Sequence, residues 1–491
     1  MIQCAVLHIT MLPPALRIAL KLGRRRHRSS ITSAAADAPS LRQSARTALP
    51  AAHFEPQRHY RHMQDGTLTI QDGKIIDPAT GRNEVANLYV VDGKISSVQP
   101  PEGAPVISAE GLVVAPGLID MHVHFREPGQ THKETIATGS QAAAAGGFTS
   151  VVCMPNTSPP TDDPSGVAWI LDRARQTACI NVFTAGAITR NLGGNEMAPI
   201  GSMVQAGIVA ITDDGHCVQN HELMRRAVEY ARMFDLAVLD HCQDYYLVGN
   251  GVMHEGHWST ILGLPGWPRA GEELMVMRNI LLAELCSTRI HCQHLSSAGS
   301  VRLLRNARGR GVAITGELCP HHIALTDKTI SSFDANYKMN PPLRAQEDID
   351  ALIEGVAEGT ITILASDHAP HATFEKEVEF DQAPFGILGL ETELAIFLTI
   401  LLHREKAISL DQLIAMYTVN PAHLLRLRKG TLRPGADADI TLIDPNREWV
   451  YEKEKSLSRS RNTPFDGKQF KGRAVRTIVA GKTVWELGTE G

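Results

Sequence analysis

Eight short apolar runs, separated by segments of helical length, occupy the middle of the chain. In order they read LIDMHVH, TSVVCMPN, INVFTAG, GIVAITDD, LAVLDH, RIHCQH, VAITGELCPH and ITILASD. Strands that alternate with helices favour a parallel sheet, and eight such units are typical of a (β/α)8 barrel of the TIM type. Because enzymes with this fold carry their chemistry at the carboxyl ends of the strands, the sequence predicts a functional site there.

Most of these runs end in residues that bind metals or substrates. His122 and His124 close the first run, and side chains two positions apart on a strand share a face, so both imidazoles can reach one cation. Four histidines and two aspartates at strand ends form the candidate metal site: His122, His124, Asp214, His241, His294 and Asp367. This ligand set predicts two zinc ions, with the carboxylate of the fourth strand between them.

Each candidate ligand has a structural alternative when it is taken alone. His241 and His294 could be core histidines that bond to the backbone, and one of the neighbours Asp213 and Asp214 could cap a turn. Asp367 could cap a helix, which contributes about 1 kcal/mol. The shared position of these residues at the mouth of the barrel favours metal binding over those alternatives.

Short strands with glycine-containing turns flank the predicted barrel on both sides. Asp-Gly-Lys occurs twice between apolar alternations, at residues 72–74 and 92–94, and this tripeptide is typical of tight hairpin turns. The same pattern returns only near the end of the chain. We therefore expect residues 63–115 and 429–491 to form one small β-sandwich domain, and residues 116–428 to form the barrel.

Residues 1–62 differ from the rest of the chain in composition. They are basic, with a run from Arg24 to Arg26, and Asp37 is their first acidic residue. This composition fits a disordered leader, an organellar transit peptide, or translated upstream sequence before a true start near Met63. The leader is therefore excluded from the fold prediction.

Composition narrows the class of protein. Of 491 residues, 43% are apolar and the formal charge is -5, which predicts a globular protein without a broad basic surface for nucleic acid or membrane. The eight cysteines are scattered with no CxxC pair, which favours reduced thiols in a reducing compartment. No apolar run approaches the roughly 20 residues that span a bilayer. A cytoplasmic protein acting on a small molecule is expected.

Longer motifs resemble a known enzyme family. The stretch PGLIDMHVHFREPGQ, together with ITDDG, MNPPLR, SDHAPH and PFGILGLET, resembles dihydroorotases of the bacterial class I type, in the amidohydrolase superfamily. The resemblance extends from about Leu68 to the end of the chain. It implies reversible cyclisation of N-carbamoyl-L-aspartate to L-dihydroorotate in pyrimidine biosynthesis, with two zinc ions per subunit.

The resemblance also implies roles for individual residues. His122, His124 and Asp367 would hold one zinc, His241 and His294 the other, with Asp214 bridging them and Asp367 also shuttling a proton. Six residues would contact the substrate: Arg126, Asn156, Asn340, His371, Pro384 and Gly386. A surface ion pair with Glu127 is the alternative for Arg126. Residues 384–389 are rich in glycine, which suggests a hinged lid.

Three other functions remain open at this stage. Hydantoinases and dihydropyrimidinases share the histidine pattern but use a carboxylated lysine as the bridge, and the fourth run offers ITDDG instead; the same argument disfavours allantoinase. A non-catalytic assembly partner of aspartate transcarbamoylase is disfavoured because all six ligand candidates are present. The chain is expected to form a homo-oligomer and a complex with aspartate transcarbamoylase.

Gln243 stands where the family more often has Glu. This difference bears on the support of His241.

Overall fold

The structure is a computed structural model, and it describes residues 66–488. The predicted leader, residues 1–62, lies outside the described residues. In chain order the strands are β1 (Leu68–Asp77), β2 (Arg82–Val91), β3 (Lys94–Ser96), β4 (Val106–Ser108), β5 (Val113–Pro116), β6 (Leu118–Val123), β7 (Phe148–Cys153), β8 (Asn181–Gly186), β9 (Ala210–Ile211), β10 (Ala237–Asp240), β11 (Met253–His254), β12 (Gly266–Trp267), β13 (Ile290–Cys292), β14 (Ile314–Leu318), β15 (Ile363–Leu364), β16 (Ile440–Val450), β17 (Gln469–Val479) and β18 (Lys482–Glu486).

The helices mostly fill the intervals between barrel strands. They are α1 (Ile136–Gly146), α2 (Pro164–Thr177), α3 (Ile200–Ala206), α4 (His221–Arg232), α5 (Tyr245–Val248), α6 (His257–Leu262), α7 (Ala270–Cys286), α8 (Ala298–Gly309), α9 (His321–Ala324), α10 (Gln346–Ala357), α11 (Thr373–Lys376), α12 (Glu393–Phe397), α13 (Leu410–Tyr417) and α14 (Val419–Leu425). A π-helical segment, Leu398–Arg404, continues α12.

Eight parallel strands form the barrel. Their order is β6-β7-β8-β9-β10-β13-β14-β15, and each strand neighbours the next along the barrel. A parallel bridge between Val123 and His368, with a bond from His124 N to His368 O of 2.9 Å, joins the segment after β15 back to β6. The eight strands are the eight apolar runs, so the predicted barrel is confirmed.

Local sequence signals set the helix boundaries. At α1, Thr135 and Thr138 form a reciprocal capping box, and the helix ends at Gly147, which has φ of 95°. A Cβ at Gly147 would lie 2.7 Å from the Cβ of Ala474, so both its conformation and its packing require glycine. Glycine therefore ends this helix.

Strands from both ends of the chain form a second sheet. Its order is β18-β17-β16-β5-β1-β2-β3, with β4 beside β1, and β16 runs antiparallel to β5 with Ile440 opposite Pro116. The pairing of the two chain ends agrees with the expectation from their shared pattern of short strands. The division of the chain at about residues 116 and 429 stays a prediction.

The two Asp-Gly-Lys tripeptides adopt different structures. Asp92 and Gly93 have φ of 49° and 72° and form the turn between β2 and β3, as predicted. The first tripeptide was wrongly predicted as a turn, because it lies inside β1 as a bulge with Asp72 at φ of 59°. Ile75 and Ile76, which follow it, are fully buried, so the strand continues into the core instead of reversing.

The long connection after β10 contains structure of its own. It holds α5 and α6, the parallel pair β11 and β12, and then α7. Trp267, at the end of β12, makes an edge contact with the ring of Phe385, with centroids 6.0 Å apart. This connection therefore packs against the mouth of the barrel. Within residues 66–488, no helix has the length and apolar character needed to cross a membrane.

A single buried carboxylate ties the two ends of the chain together. Asp77 closes β1 and accepts hydrogen bonds from Thr431 Oγ1 at 3.1 Å and Leu432 N at 2.9 Å, beyond the barrel. It also accepts from Ala79 N and Thr80 Oγ1.

We expect Asp77→Ala to lower the free energy of unfolding by about 2 to 4 kcal/mol, since buried donors lose a charged acceptor. Urea denaturation measures the change, and exposed Glu110→Ala is the control. A loss equal to that of the control would contradict this role.

Candidate metal centre and active-site cavity

Six side chains from five strands converge at the mouth of the barrel. His124 Nε2 lies 3.0 Å from Asp367 Oδ1 and 3.4 Å from Asp214 Oδ2. His122 Nε2 lies 3.2 Å from Asp214 Oδ1 and 3.5 Å from Asp367 Oδ1. His122 in β6 and His124 directly after it therefore reach both carboxylates, in agreement with the shared face that their spacing predicts.

The histidines that follow β10 and β13 form the other half of the cluster. His241 Nδ1 and His294 Nε2 are 2.7 Å apart, and each lies 3.8 Å from Asp214 Oδ1. Both side chains are buried. Asp214 is thus the carboxylate that contacts both pairs of imidazoles.

The donor set fits metal ions. Asp214 Oδ1 is buried and accepts no hydrogen bond of good geometry from the described residues, although three imidazoles surround it. A buried acceptor left unsatisfied is costly, and a bound cation would remove that cost. Three overlapping groups of these side chains place their ligand atoms within 4.8 Å of one another. The residues therefore suit a metal centre of nitrogen and oxygen ligands.

The electrostatics keep the carboxylates ionised and one imidazole neutral. Burial alone would raise the pKa of Asp214 and Asp367, but the charges and hydrogen bonds of the surrounding histidines, led by the charge of His122, together hold the pKa of both well below the usual range. Burial, together with the charge of His294, lowers the pKa of His241 to about 4. Ionised carboxylates and neutral imidazoles are the forms that bind a cation.

A buried glutamate supports the ligands from behind, and sequence reasoning missed it. Glu317 on β14 accepts from His122 Nδ1 at 2.6 Å, His291 Nε2 at 3.0 Å and His294 N at 3.1 Å. Burial opposes its charge, but the charge of His122 and these hydrogen bonds lower its pKa to about 2. The bond to Nδ1 leaves Nε2 of His122 free for a metal. The sequence signal that could have revealed Glu317 was its place in the run GELCPH, where it faces inward together with Cys319.

Gln243 supports His241 where the family more often has an acid. His241 Nε2 lies 2.8 Å from Gln243 Oε1, and Asn340 Nδ2 donates to the same oxygen at 3.1 Å. The amide oxygen therefore orients the ring so that Nδ1 points to the metal site. Asp240, which directly precedes His241, binds Arg278 at 2.7 Å, away from the ligands.

Asp213 and Asp214 take different roles, but Asp213 holds a distant segment and does not cap its own turn. Asp213 accepts from Ile188 N at 2.7 Å and from Thr189 N at 3.0 Å, so it fixes the segment after β8.

Asn156, expected to contact the substrate, also accepts a hydrogen bond from His124 Nδ1 at 2.8 Å. It lies between the cavity and a candidate ligand.

One cavity of about 340 Å³ opens onto the cluster. All six predicted substrate contacts line it, together with five of the six candidate ligands; only His122 lies behind the wall. The lining residues are His124, Arg126, Asn156, Asp214, Gly215, His241, His294, Asn340, Asp367, Ala369, His371, Pro384, Phe385 and Gly386. The structure therefore brings the predicted metal and substrate residues to one place.

Arg126 is directed into the cavity and is not paired with Glu127. Its Nε donates to Pro370 O at 3.2 Å, and its Nη2 lies 3.5 Å from His371 Nε2. Glu127 instead binds Arg173 at 2.9 Å, so the predicted alternative for Arg126 is wrong. Burial lowers the pKa of Arg126 to about 10, which leaves it charged at neutral pH. It is a cation available to an anionic ligand.

A neighbouring cluster does not line the cavity. Cys319, His321 and His322 follow β14, and all three are buried. Neither ring nitrogen of His321 has a hydrogen-bond partner within residues 66–488. The end of the seventh apolar run therefore contributes no residue to the cavity wall.

The support of His241 by Gln243 can be tested through metal binding. Gln243→Ala removes the acceptor that orients the ring, so metal affinity should fall by about 10- to 100-fold. Competition with a chromophoric chelator measures the affinity. Exposed Gln205→Ala is the matched control and should not change it. Equal affinity in the two variants would show that Gln243 does not orient the ligand.

Two family models match most of the described chain. The dihydro-orotase-like family matches residues 111–300, and the amidohydrolase family matches residues 317–485. Among solved structures, L-hydantoinase from Arthrobacter aurescens aligns with a TM-score of 0.77 at 24% identity, over 86% of this chain and 96% of that one. Dihydropyrimidinase from Brevibacillus agri NCHU1002 aligns with a TM-score of 0.75 at 24% identity, over 86% and 95%. At this identity the structural likeness shows the fold alone.

Curated relatives are much closer in sequence. A dihydroorotase of Geobacter sp. (strain M21) is 48% identical over 425 residues, which cover 86% of this chain and 100% of the relative. A dihydroorotase of Pelotomaculum thermopropionicum is 49% identical over 422 residues, which cover 85% and 98%. Both alignments span nearly the whole relative, barrel and end sheet included. The chain therefore belongs to the dihydroorotase family, within the amidohydrolases.

Proposed function

We propose that this chain is a dihydroorotase that interconverts N-carbamoyl-L-aspartate and L-dihydroorotate in pyrimidine biosynthesis. One observation carries the proposal: a cluster of four histidines and two aspartates shares a 340 Å³ cavity with a charged arginine. The sequence identity with dihydroorotases supports the same conclusion. The substrate is a small carboxylate that contains either a cyclic imide or the ring-opened form of that imide. A molecule of this size suits such a cavity.

We propose two zinc ions per subunit as the cofactor. His122, His124 and Asp367 would hold one ion, His241 and His294 the other, and Asp214 would contact both. When bound, zinc supplies hydroxide near neutral pH and polarises the carbonyl under attack. The unsatisfied Oδ1 of Asp214 supports the bridging role.

Asp367 is the proposed proton shuttle. It is ionised, because the charges of His122, His124 and His294 and the hydrogen bond to His124 together outweigh the effect of burial on its pKa, and it faces the cavity. In ring opening it accepts the proton of the attacking water as the tetrahedral centre forms. It then delivers that proton to the ring nitrogen as the carbon–nitrogen bond breaks. In ring closure the same group takes the proton from the carbamoyl nitrogen.

The cavity wall is proposed to orient the substrate. The guanidinium of Arg126 suits the substrate carboxylate because it can make two parallel hydrogen bonds, with Asn156 beside it. Asn340 Oδ1 is buried with no partner within the described part of the chain, so it can accept from a ring N–H. His371 is neutral, since burial and the charge of Arg126 lower its pKa to about 2. The backbone at Pro384 and Gly386 completes this wall.

Hydantoinase activity is the alternative from the same fold. The hydantoinase structures align well, but their likeness concerns the fold. In this chain Asp214 occupies the place between the two histidine pairs, where a carboxylated lysine would be required. This observation favours dihydroorotase, and it disfavours allantoinase on the same ground.

The remaining expectations are part of the same proposal. A cytoplasmic location follows from the scattered cysteines, and the seven within the described residues are free. A homo-oligomer and a complex with aspartate transcarbamoylase are proposed as partners of an otherwise catalytic subunit. The six intact ligand candidates weigh against a purely structural partner.

A substrate panel tests the proposed reaction. Zinc-loaded protein should turn over dihydroorotate and carbamoyl-aspartate, and it should leave hydantoin and dihydrouracil unchanged, because Arg126 requires a carboxylate partner. Absorbance of the ring amide and chromatography of the products measure the rates. Turnover of hydantoin in place of dihydroorotate would make the protein a hydantoinase. No turnover with two zinc ions bound would favour the non-catalytic partner.

Removal of the bridging carboxylate tests the metal count. Asp214→Ala should lower the zinc content from about two ions to one or none per chain, since two buried cations then lack a shared counter-charge. Elemental analysis after dialysis gives the stoichiometry, and exposed Asp350→Ala serves as control. Two tightly bound zinc ions in Asp214→Ala would rule out the bridge.

A further inference from the structure

One wall of the cavity has no regular secondary structure. Residues 384–386 run through the loop after β15, where Gly386 has φ of 120°, and they contribute three lining residues. A Cβ at Gly386 would lie 2.6 Å from the Cβ of Ala369, so the segment packs closely against its neighbour. Since no helix or strand holds it, its position depends on contacts from other segments.

Lys376, at the end of α11, makes the most concentrated of those contacts. Its Nζ donates to Pro384 O at 2.7 Å, Ala335 O at 3.0 Å and Lys338 O at 3.4 Å. An ammonium has three donors, so these three carbonyls use all of them. The side chain is only 7% exposed. One buried ammonium thus joins α11, the segment before Asn340 and the cavity wall.

The segment before Asn340 is connected to the same wall by further bonds. Gly386 N donates to Lys338 O at 2.9 Å, and Lys338 Nζ donates to Asp381 O at 2.9 Å. The ammonium of Lys338 also lies 4.6 Å from the centroid of the Phe385 ring. Lys376 therefore acts at a junction that positions both the wall and the chain leading to Asn340.

The charge of Lys376 has no carboxylate partner. Among residues 66–488, no Asp or Glu forms an ion pair with it, and its bonds go to neutral carbonyls. Burial first, and then the charges of Lys338 and Arg126, lower its pKa to about 7, while Asp334 and Glu375 act in the opposite direction. An ammonium buried at such a cost marks a position where donors are required, since an apolar side chain would fill the same space more cheaply.

We propose that Lys376 is a positioning residue for substrate binding, whose ammonium fixes the wall at residues 384–386 and the approach to Asn340. The inference rests on the proposed function, since it concerns the same cavity. Lys376 does not line the cavity, so it acts through Pro384 and Lys338 and not by contact with the substrate. Its loss should weaken binding while leaving the metal ligands in place.

Two variants of Lys376 separate positioning from packing. Lys376→Met keeps most of the volume and removes the donors, and Lys376→Ala leaves a space that methylammonium or ethylammonium can enter. In both variants KM for dihydroorotate should rise about tenfold or more with a smaller change in kcat, since lost positioning hydrogen bonds weaken uniform binding. Zinc content should equal that of the wild type. Exposed Lys328→Met is the matched control.

Hydrogen exchange gives a readout that does not depend on turnover. The amide of Gly386 should exchange faster in both Lys376 variants, and added alkylammonium should restore both exchange and KM in Lys376→Ala alone. Unchanged KM and exchange in both variants, or an increase in KM of Lys376→Ala that the amine does not reverse, would overturn the proposal. If the wild type fails to act on dihydroorotate, the proposed function fails, and the exchange of Gly386 alone then decides the role of Lys376.

Discussion

The carboxylate of Asp214 is the point on which the centre of the molecule depends. It is buried, and it is ionised because the charges and hydrogen bonds of the surrounding histidines together outweigh the effect of burial on its pKa. Imidazoles from three other strands surround it. So many polar groups can be buried together only if their charges balance one another or are balanced by a bound cation. The barrel supplies the required rigidity, since each ligand lies near the end of a strand or follows one, and the neighbours of that strand are fixed on both sides.

The metal half and the substrate half of the site are held in place by different kinds of structure. The ligands are held by strand ends and by Glu317, which is itself buried between two histidines. The substrate wall consists of irregular chain, and side chains such as Lys376 and His371 fix its backbone carbonyls. The metal half therefore resists change in the loops, whereas the substrate half depends on a few hydrogen bonds between loops. Selectivity for the ring and retention of the metal can vary separately in such a design.

The sequence predicted the barrel and the clustering of its candidate ligands, because strand ends of a closed parallel barrel must meet. It did not reveal Glu317 as a support, since the role of Glu317 depends on which side chains of different strands face each other. The turn predicted at Asp72 is a bulge, because the local signal of Asp-Gly is the same in both and burial of the following isoleucines decides. The junction at Lys376 joins segments that are far apart in sequence and left no periodic signal.

The sheet made from both chain ends affects the synthesis of the protein. Leu118 N, where the barrel begins, donates to Thr441 Oγ1, and the two residues are 323 positions apart. The same applies to β5, which pairs with β16, so the edge of β5 that β16 covers stays unpaired during translation until the barrel has been synthesised. Exposed edges of this kind promote aggregation. A chain that ended before β16 would contain every candidate metal ligand and still expose that edge of β5. Correct folding of the protein therefore depends on a strand that is synthesised after the whole metal site.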